Sequence, residues 1–256
     1  MHILVTNDDG VTAPGLQALA QEMRRISKAE ITILAPDRNW SASGHVKTMH
    51  RPLRVKPVEL ADGSKALASD GAPSDCVALA LLGIFDCKFD LVVSGINPHG
   101  NLGHDVTYSG TVTAAMEATI EGIPGIAVSL ETAEGFLGQP DYTPAARIAR
   151  RVAEQVIEHD LPKNTLINVN VPSMPEDELK GFRVTRQGLR VYRDELIQRE
   201  DPRGRPYYWI GGDPPSGVSE QGTDIGAVYN GYVSITPLQL DLTAHQFISE
   251  LEGWDW

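Results

Sequence analysis

The chain has 256 residues, with 22 Lys+Arg against 34 Asp+Glu and a formal net charge of −12. So acidic a chain is a poor match for nucleic-acid polymers, whose phosphates require neutralising cations. Hydrophobic residues make up 41% and charged residues 22%, which excludes disorder and fits one large α/β domain, or a domain with an appendage.

Ile3-Leu4-Val5 is a short apolar run that stops at Asn7-Asp8-Asp9-Gly10 and reads as a buried strand. Residues 14–25 carry Leu16, Leu19, Ala20 and Met23 at helical spacing behind Pro14, and Ile31–Ala35 is a second strand. The connection is long enough for a crossover, so these two strands are expected to be parallel. Leu53–Val58 and Ala66–Ala68 read as a short hairpin turning at Asp62-Gly63, and Pro73–Phe85 as an apolar helix. Leu91–Val93 is a strand ending in Ser94-Gly95-Ile96-Asn97, and Ser109–Glu121 a helix. Gly125–Leu130, Thr143–Glu158 and Leu166–Val171 continue the strand–helix–strand alternation. Such alternation predicts a parallel sheet covered on both faces. Residues 200–231 are rich in Pro and Gly around Tyr207-Tyr208-Trp209 and read as a long loop, either folded on its own body or reaching another subunit. Gly231–Pro237 and Leu242–Leu251 give a closing strand and helix. The expected division is a core over 1–172 and a C-terminal extension over 173–256.

No run approaches the roughly 20 apolar residues that span a bilayer, so no membrane contact is expected. Met1-His2-Ile3-Leu4-Val5 has neither a positive region nor a cleavage site. Cys76 and Cys87 are too few for a disulfide framework or a four-cysteine metal site, and two reduced thiols are expected. The expected location is the cytoplasm.

In open α/β sheets, ligands bind outside the carboxyl ends of the strands. Three such ends carry unusual polar residues. Asp8 and Asp9 follow the first strand. Adjacent carboxylates repel, and oxygen-rich sites suit hard divalent ions such as Mg²⁺ or Mn²⁺. The alternative is a capping turn in which Asp9 satisfies helix N–H groups. Ser41, Ser43 and Gly44 follow the second strand, in a polar turn able to donate to phosphate or supply a weak oxygen ligand. Asn97 follows the third, with an amide oxygen able to complete a carboxylate metal site. Ser109-Gly110-Thr111 then opens a helix, as an anion site or as a simple N-cap. A metal and a phosphate site sharing one sheet edge would suit phosphoryl transfer, which needs positioning and charge stabilisation. There is no P-loop and no dinucleotide fingerprint. His45 and His104 lie in these loops as proton carriers or as solvent-facing side chains, and His99 has the same two readings.

At these residues the chain resembles the SurE family, the stationary-phase survival proteins that act as metal-dependent 5′(3′)-nucleotidases. The resemblance runs through Ile3–Val11, Ala13–Leu16, Ala35–Asn39, Pro73–Cys76, Ser94–Asn97, Asn101–Gly103, Tyr108–Val112, Ile167–Pro172, Arg183–Arg186 and Gly231–Leu238. It implies a three-layer Rossmann-like core and one divalent ion, Mg²⁺ or Mn²⁺, per subunit. The ligands would be Asp8, Asp9, Ser41 and Asn97, with Ser43 as a rival to Ser41. It further implies that Asp8, Asp9 and Asn97 are catalytic and that Asn101, Ser109, Gly110 and Thr111 face the phosphate. Nucleoside monophosphates are the implied substrates, and a homodimer or homotetramer the implied assembly, with the late Pro/Gly-rich arm between subunits. Pro98-His99 departs from the small residues usual after the asparagine. Two rival readings are a non-catalytic, receiver-like Mg²⁺-binding module and a purely structural oligomer. Against the receiver, Asn97 stands where a phospho-accepting aspartate is expected.

Overall fold

A computed structural model describes residues 1–132, 136 and 138–256. Its centre is a nine-stranded sheet in the order β3-β4-β2-β1-β5-β6-β7-β11-β8. The six inner strands β4 (Lys65–Ser69), β2 (Glu30–Pro36), β1 (His2–Thr6), β5 (Leu91–Asn97), β6 (Gly125–Glu131) and β7 (Thr165–Pro172) are all parallel. One flank is the expected hairpin, and the other departs from the parallel expectation. β3 (Val55–Glu59) returns on β4 through the Asp62-Gly63 turn, and β11 (Val233–Gln239) runs antiparallel to β7. β8 (Phe182–Val184) then pairs with β11 in parallel. Two strands from the segment after residue 172 therefore complete the core sheet.

Alternation along β1 shows how the layers form. Ile3 and Val5 pack with Leu16 and Leu19 of α1 (Pro14–Met23) and with Ile148 and Val152 of α4 (Thr143–His159). Leu4, between them, points to the other face and joins Cys76 of α2 (Pro73–Leu79) and Ala114 of α3 (Gly110–Ile120). A strand with both faces covered is apolar throughout, which is why β1 reads as an unbroken apolar run. The α1–α4 face carries a part-buried ion pair, Arg150 Nε to Glu22 Oε2 at 3.0 Å. Cys76 is buried and in no disulfide, and burial pushes its thiol pKa up; Cys87 is also a free thiol.

The chain leaves β1 to build β2 on one side, and β5 pairs with β1 on the other. The β1/β5 boundary is therefore the topological switch point, where a crevice forms beyond the strand ends. Much of the stretch 200–231, expected as a long loop, is regular, and its first part belongs to an arm over 190–217. The arm is two-stranded and antiparallel, β9 (Arg190–Glu200) with β10 (Pro206–Gly217). Its register slips between Asp213 and Ser216, at the Pro214-Pro215 pair that lacks ladder N–H donors. Leu196, Tyr207, Tyr208, Trp209 and Ile210 are exposed on it. The chain continues through α5 (Asp224–Tyr229) and ends in α6 (His245–Glu252). Among the described residues no helix is long and apolar enough to cross a membrane.

Candidate active site

β1 ends at Thr6 and the chain turns at once. Asn7, fully buried, closes that turn: its Nδ2 donates to the Gly10 carbonyl at 3.0 Å, and the Gly10 N–H donates to its Oδ1 at 3.2 Å. Gly10 sits at φ +105°, which a side chain would disfavour. Asp8, held by this turn, is 3% exposed. Its Oδ1 accepts the Thr111 hydroxyl at 2.6 Å, and its Oδ2 accepts the Thr111 N–H at 3.1 Å. Thr111 is the second residue of α3. The carboxylate thus sits on the helix N-terminus, where unpaired N–H groups and the dipole favour an anion. Gly110 permits the approach, because a Cβ there would lie 2.7 Å from Asp8 Cβ.

Burial raises the Asp8 carboxyl above the ordinary range, and the Thr111 hydrogen bonds offset part of that rise. Half-buried Asp9 is pushed up to about 7, by burial first and by the neighbouring Asp8 charge second. Its hydrogen bond is long: Asn39 Nδ2 donates to Asp9 Oδ1 at 3.4 Å. Two adjacent carboxyls that resist ionising together favour an added positive charge. Asn97 ends β5 with its Nδ2 turned to the His99 carbonyl, so Oδ1 is the carboxamide atom able to face a cation.

The segment after β2 is fastened over α2 and α3. The Trp40 N–H donates to the Asp8 carbonyl at 2.7 Å, and the Gly44 N–H to the Tyr108 carbonyl at 2.9 Å. Buried Glu117 of α3 holds His45 Nε2 at 2.8 Å and Lys47 Nζ at 2.9 Å. Asp75 of α2 accepts the Thr48 N–H and hydroxyl at 2.8 and 2.6 Å. Ser41, exposed, is presented on this segment, with its N–H on Asn39 Oδ1 at 2.7 Å.

A cleft of about 790 Å³ opens over the switch point. Asp8, Ser41, Asn97, Asn101 and Ser109 line it together, joined by His99, Tyr108, Phe136, Glu131, Asp105 and Arg190. Asp9, Ser43, Gly44, Gly110 and Thr111 are outside that lining. Several expectations change accordingly. Thr111 is fully buried and spends both donors on Asp8, so it positions that carboxylate and does not face a phosphate. Gly110 serves the same contact by lacking a side chain. Gly44 has its N–H committed to Tyr108, and Ser41, not Ser43, reaches the cleft. Ser109 is the N-cap of α3, its Oγ accepting the Val112 N–H at 3.1 Å. The anion at this helix start is therefore Asp8 itself. Of the histidines, His45 is bound to Glu117 and His104 is exposed outside the cleft, while His99 lines it.

Asn101 is buried in an amide network. Its Nδ2 meets Ser129 Oγ at 2.7 Å, its N–H donates to Asn170 Oδ1 at 2.8 Å, and its carbonyl accepts Asn168 Nδ2 at 2.9 Å. It ties the 97–101 loop to β6 and β7. Sequence reasoning gave no role to Asn168 or Asn170, although polar residues two apart in an apolar strand are a legible signal of one polar, internally bonded face. It also passed over Glu131, whose Oε2 accepts the Gly100 N–H at 2.6 Å and whose carboxyl burial raises above the ordinary range. Arg190 and Tyr192, at the root of the arm, were missed as well; both meet Asp105.

The family model described as "Survival protein SurE" matches residues 3–194 of the chain. A protein of Chloroflexus aggregans named "5'-nucleotidase SurE" is 52% identical over 256 residues, covering 100% of both chains. One of Herpetosiphon aurantiacus with the same name is 54% identical over 256 residues, covering 100% of this chain and 99% of the relative. The crystal structure of the SurE protein from Aquifex aeolicus superposes with a TM-score of 0.81 at 39% identity, covering 98% of each chain.

Proposed function

The chain belongs to the SurE family, and from that premise we propose that it hydrolyses nucleoside monophosphates to nucleoside and phosphate, as a divalent-metal-dependent phosphomonoesterase. The names of its full-length relatives support the reaction class. The observation that carries the reading is the Asp8-Asp9 pair at the switch point, under a cleft large enough for a whole small molecule.

The donor set fits a hard dication. Asp8 and Asp9 supply carboxylate oxygens; burial first and the Asp8 charge second push Asp9 up to about 7, and a cation would relieve both costs. Asn97 Oδ1 and Ser41 Oγ add neutral oxygens. Among the described residues no cluster of three or more His, Cys, Asp or Glu forms a metal site. The site therefore suits an ion held by a carboxylate pair, neutral oxygens and solvent, in the manner of Mg²⁺ or Mn²⁺. One such ion per subunit would supply a Lewis acid for the phosphoryl group and lower the pKa of a water. The protein's own part is positional. Thr111 and Gly110 fix Asp8 to α3, the Asn7 turn fixes its backbone, and Asn101 holds the 97–101 loop so that Asn97 meets the same point. Ser109 caps α3 beside Asp8 and lines the cleft in which the phosphate would lie. The assembly we propose is a homodimer or homotetramer joined through the exposed aromatic arm, in the cytoplasm, with no nucleic-acid polymer or membrane as partner.

A phosphate-release screen over nucleoside monophosphates, each with and without chelator, tests this. Release from at least one nucleotide, abolished by chelator and restored by Mg²⁺ or Mn²⁺, is expected. Stable labelling by a small phosphodonor without phosphate release would instead establish the receiver-like module and end the nucleotidase reading.

A further inference from the structure

We propose that Arg190 recognises the nucleoside part of the substrate, an inference that rests on the nucleotidase reading above. Arg190 opens β9, where the arm leaves the body. Its side chain is 10% exposed and its Nε lies 2.7 Å from Asp105 Oδ2. That contact is misaligned for a hydrogen bond, so Nε has no acceptor, and buried Nη1 has none among the described residues. A buried cation with unanswered donors is costly and calls for an explanation. An acceptor that arrives with a ligand provides one, because Arg190 lines the same cleft as Asp8.

The neighbours indicate which part of the ligand it meets. Asp105 balances the guanidinium charge, and the Tyr192 hydroxyl donates to the same carboxylate. A balanced guanidinium favours a neutral acceptor, such as a ribose hydroxyl or a base carbonyl, over a second claim on the phosphate. The phosphate already has the carboxylate-bound cation proposed at Asp8. The cleft extends well beyond one phosphate group, and Pro214 and Pro215 of the arm add apolar wall to it.

The test compares a nucleoside monophosphate with p-nitrophenyl phosphate, which has the ester but no nucleoside. For Arg190→Gln, kcat/KM on the nucleotide is expected to fall roughly 10- to 100-fold, mainly through KM, the scale of a lost charge-assisted hydrogen bond. On p-nitrophenyl phosphate it stays at the parent value. Arg190→Lys, which keeps the charge with different donor geometry, is expected to show the same selectivity with a smaller loss, and serves if the Gln variant does not fold. Equal losses on both substrates, or none on either, overturn the proposal. A parent enzyme that cleaves p-nitrophenyl phosphate but no nucleotide refutes the nucleotidase reading itself, before any variant is made.

Discussion

Gly110→Ala sets helix stability against the geometry of the site. Alanine is the better helix former, by up to roughly 1 kcal/mol. Against this, its Cβ would lie 2.7 Å from Asp8 Cβ, 3.0 Å from Asp8 Oδ2 and 3.1 Å from Pro73 Cγ. Asp8 Cβ is no flexible tip, because the Asn7 turn pins its backbone. The contact must open by about 0.7 Å to reach the 3.4 Å of ordinary packing. Overpacking of this kind costs roughly 1–3 kcal/mol, so the net loss of stability is about 0–2 kcal/mol. That corresponds to a fall in Tm of no more than about 8 °C for a chain of this size. Turnover has no compensating gain. A displacement approaching 1 Å at the reacting groups costs on the order of 100-fold. The assay is phosphate release from a nucleoside monophosphate at saturating Mn²⁺, with thermal unfolding followed on the same preparation. A rate down by roughly 10²-fold in a folded protein is expected. Full turnover in the alanine variant would refute the claim that α3 sets the position of Asp8.

Asp8→Asn and Asp9→Asn should each lower turnover by roughly 10²-fold or more with folding intact, the scale of a lost preorganised charge contact; full activity in both would remove the metal assignment. Glu117 is held below the ordinary carboxylate range by the His45 hydrogen bond first and by Lys47 next. A depressed folded pKa stabilises above the unfolded value of 4.5, and that contribution disappears as pH falls through the folded value. The gap in Tm between parent and Glu117→Gln should therefore be present at neutral pH and close as pH falls below the unfolded value of 4.5, and a gap that ignores pH would argue against the pairing. Trp209→Asp on the arm should shift sedimentation at micromolar concentration toward smaller species, and a monomeric parent would sink the arm as a subunit contact.

Much of the layered core was legible because its strands are buried on both faces, so Ile3–Val5 and Leu91–Val93 announce themselves as apolar runs, while Leu166–Val171 keeps an apolar alternation broken by Asn168 and Asn170. The antiparallel direction of β11 was not legible, because a pattern of alternating burial carries no direction. The hairpin at 190–217 hid for a related reason. Its side chains are mostly exposed in the single chain, so its sequence shows turn residues and no buried face. At the site, Asp8, Asn97 and Ser41 could be placed from their positions after three strands that the sheet brings together. The tasks of Thr111 and Asn101 could not. Ser-Gly-Thr at a helix start reads as a cradle for an external anion, and only the fold reveals that the chain supplies the anion itself. Glu131 and Arg190 act across long sequence separations, on Gly100 and Asp105, and no local spacing signals such pairs.

Asp8 has two owners. The strand holds its backbone by covalent bonds, and the neighbouring helix holds its oxygens through a single threonine. A rotation or slide of that helix drags the carboxylate while leaving the strand in place. The far flank of the same helix carries Glu117, clamped by the segment that presents Ser41. One rigid rod thereby sets the spacing between an acid and a hydroxyl that arrive from different strands, and harm done along its length is felt first as slower chemistry, with the melting temperature following only later.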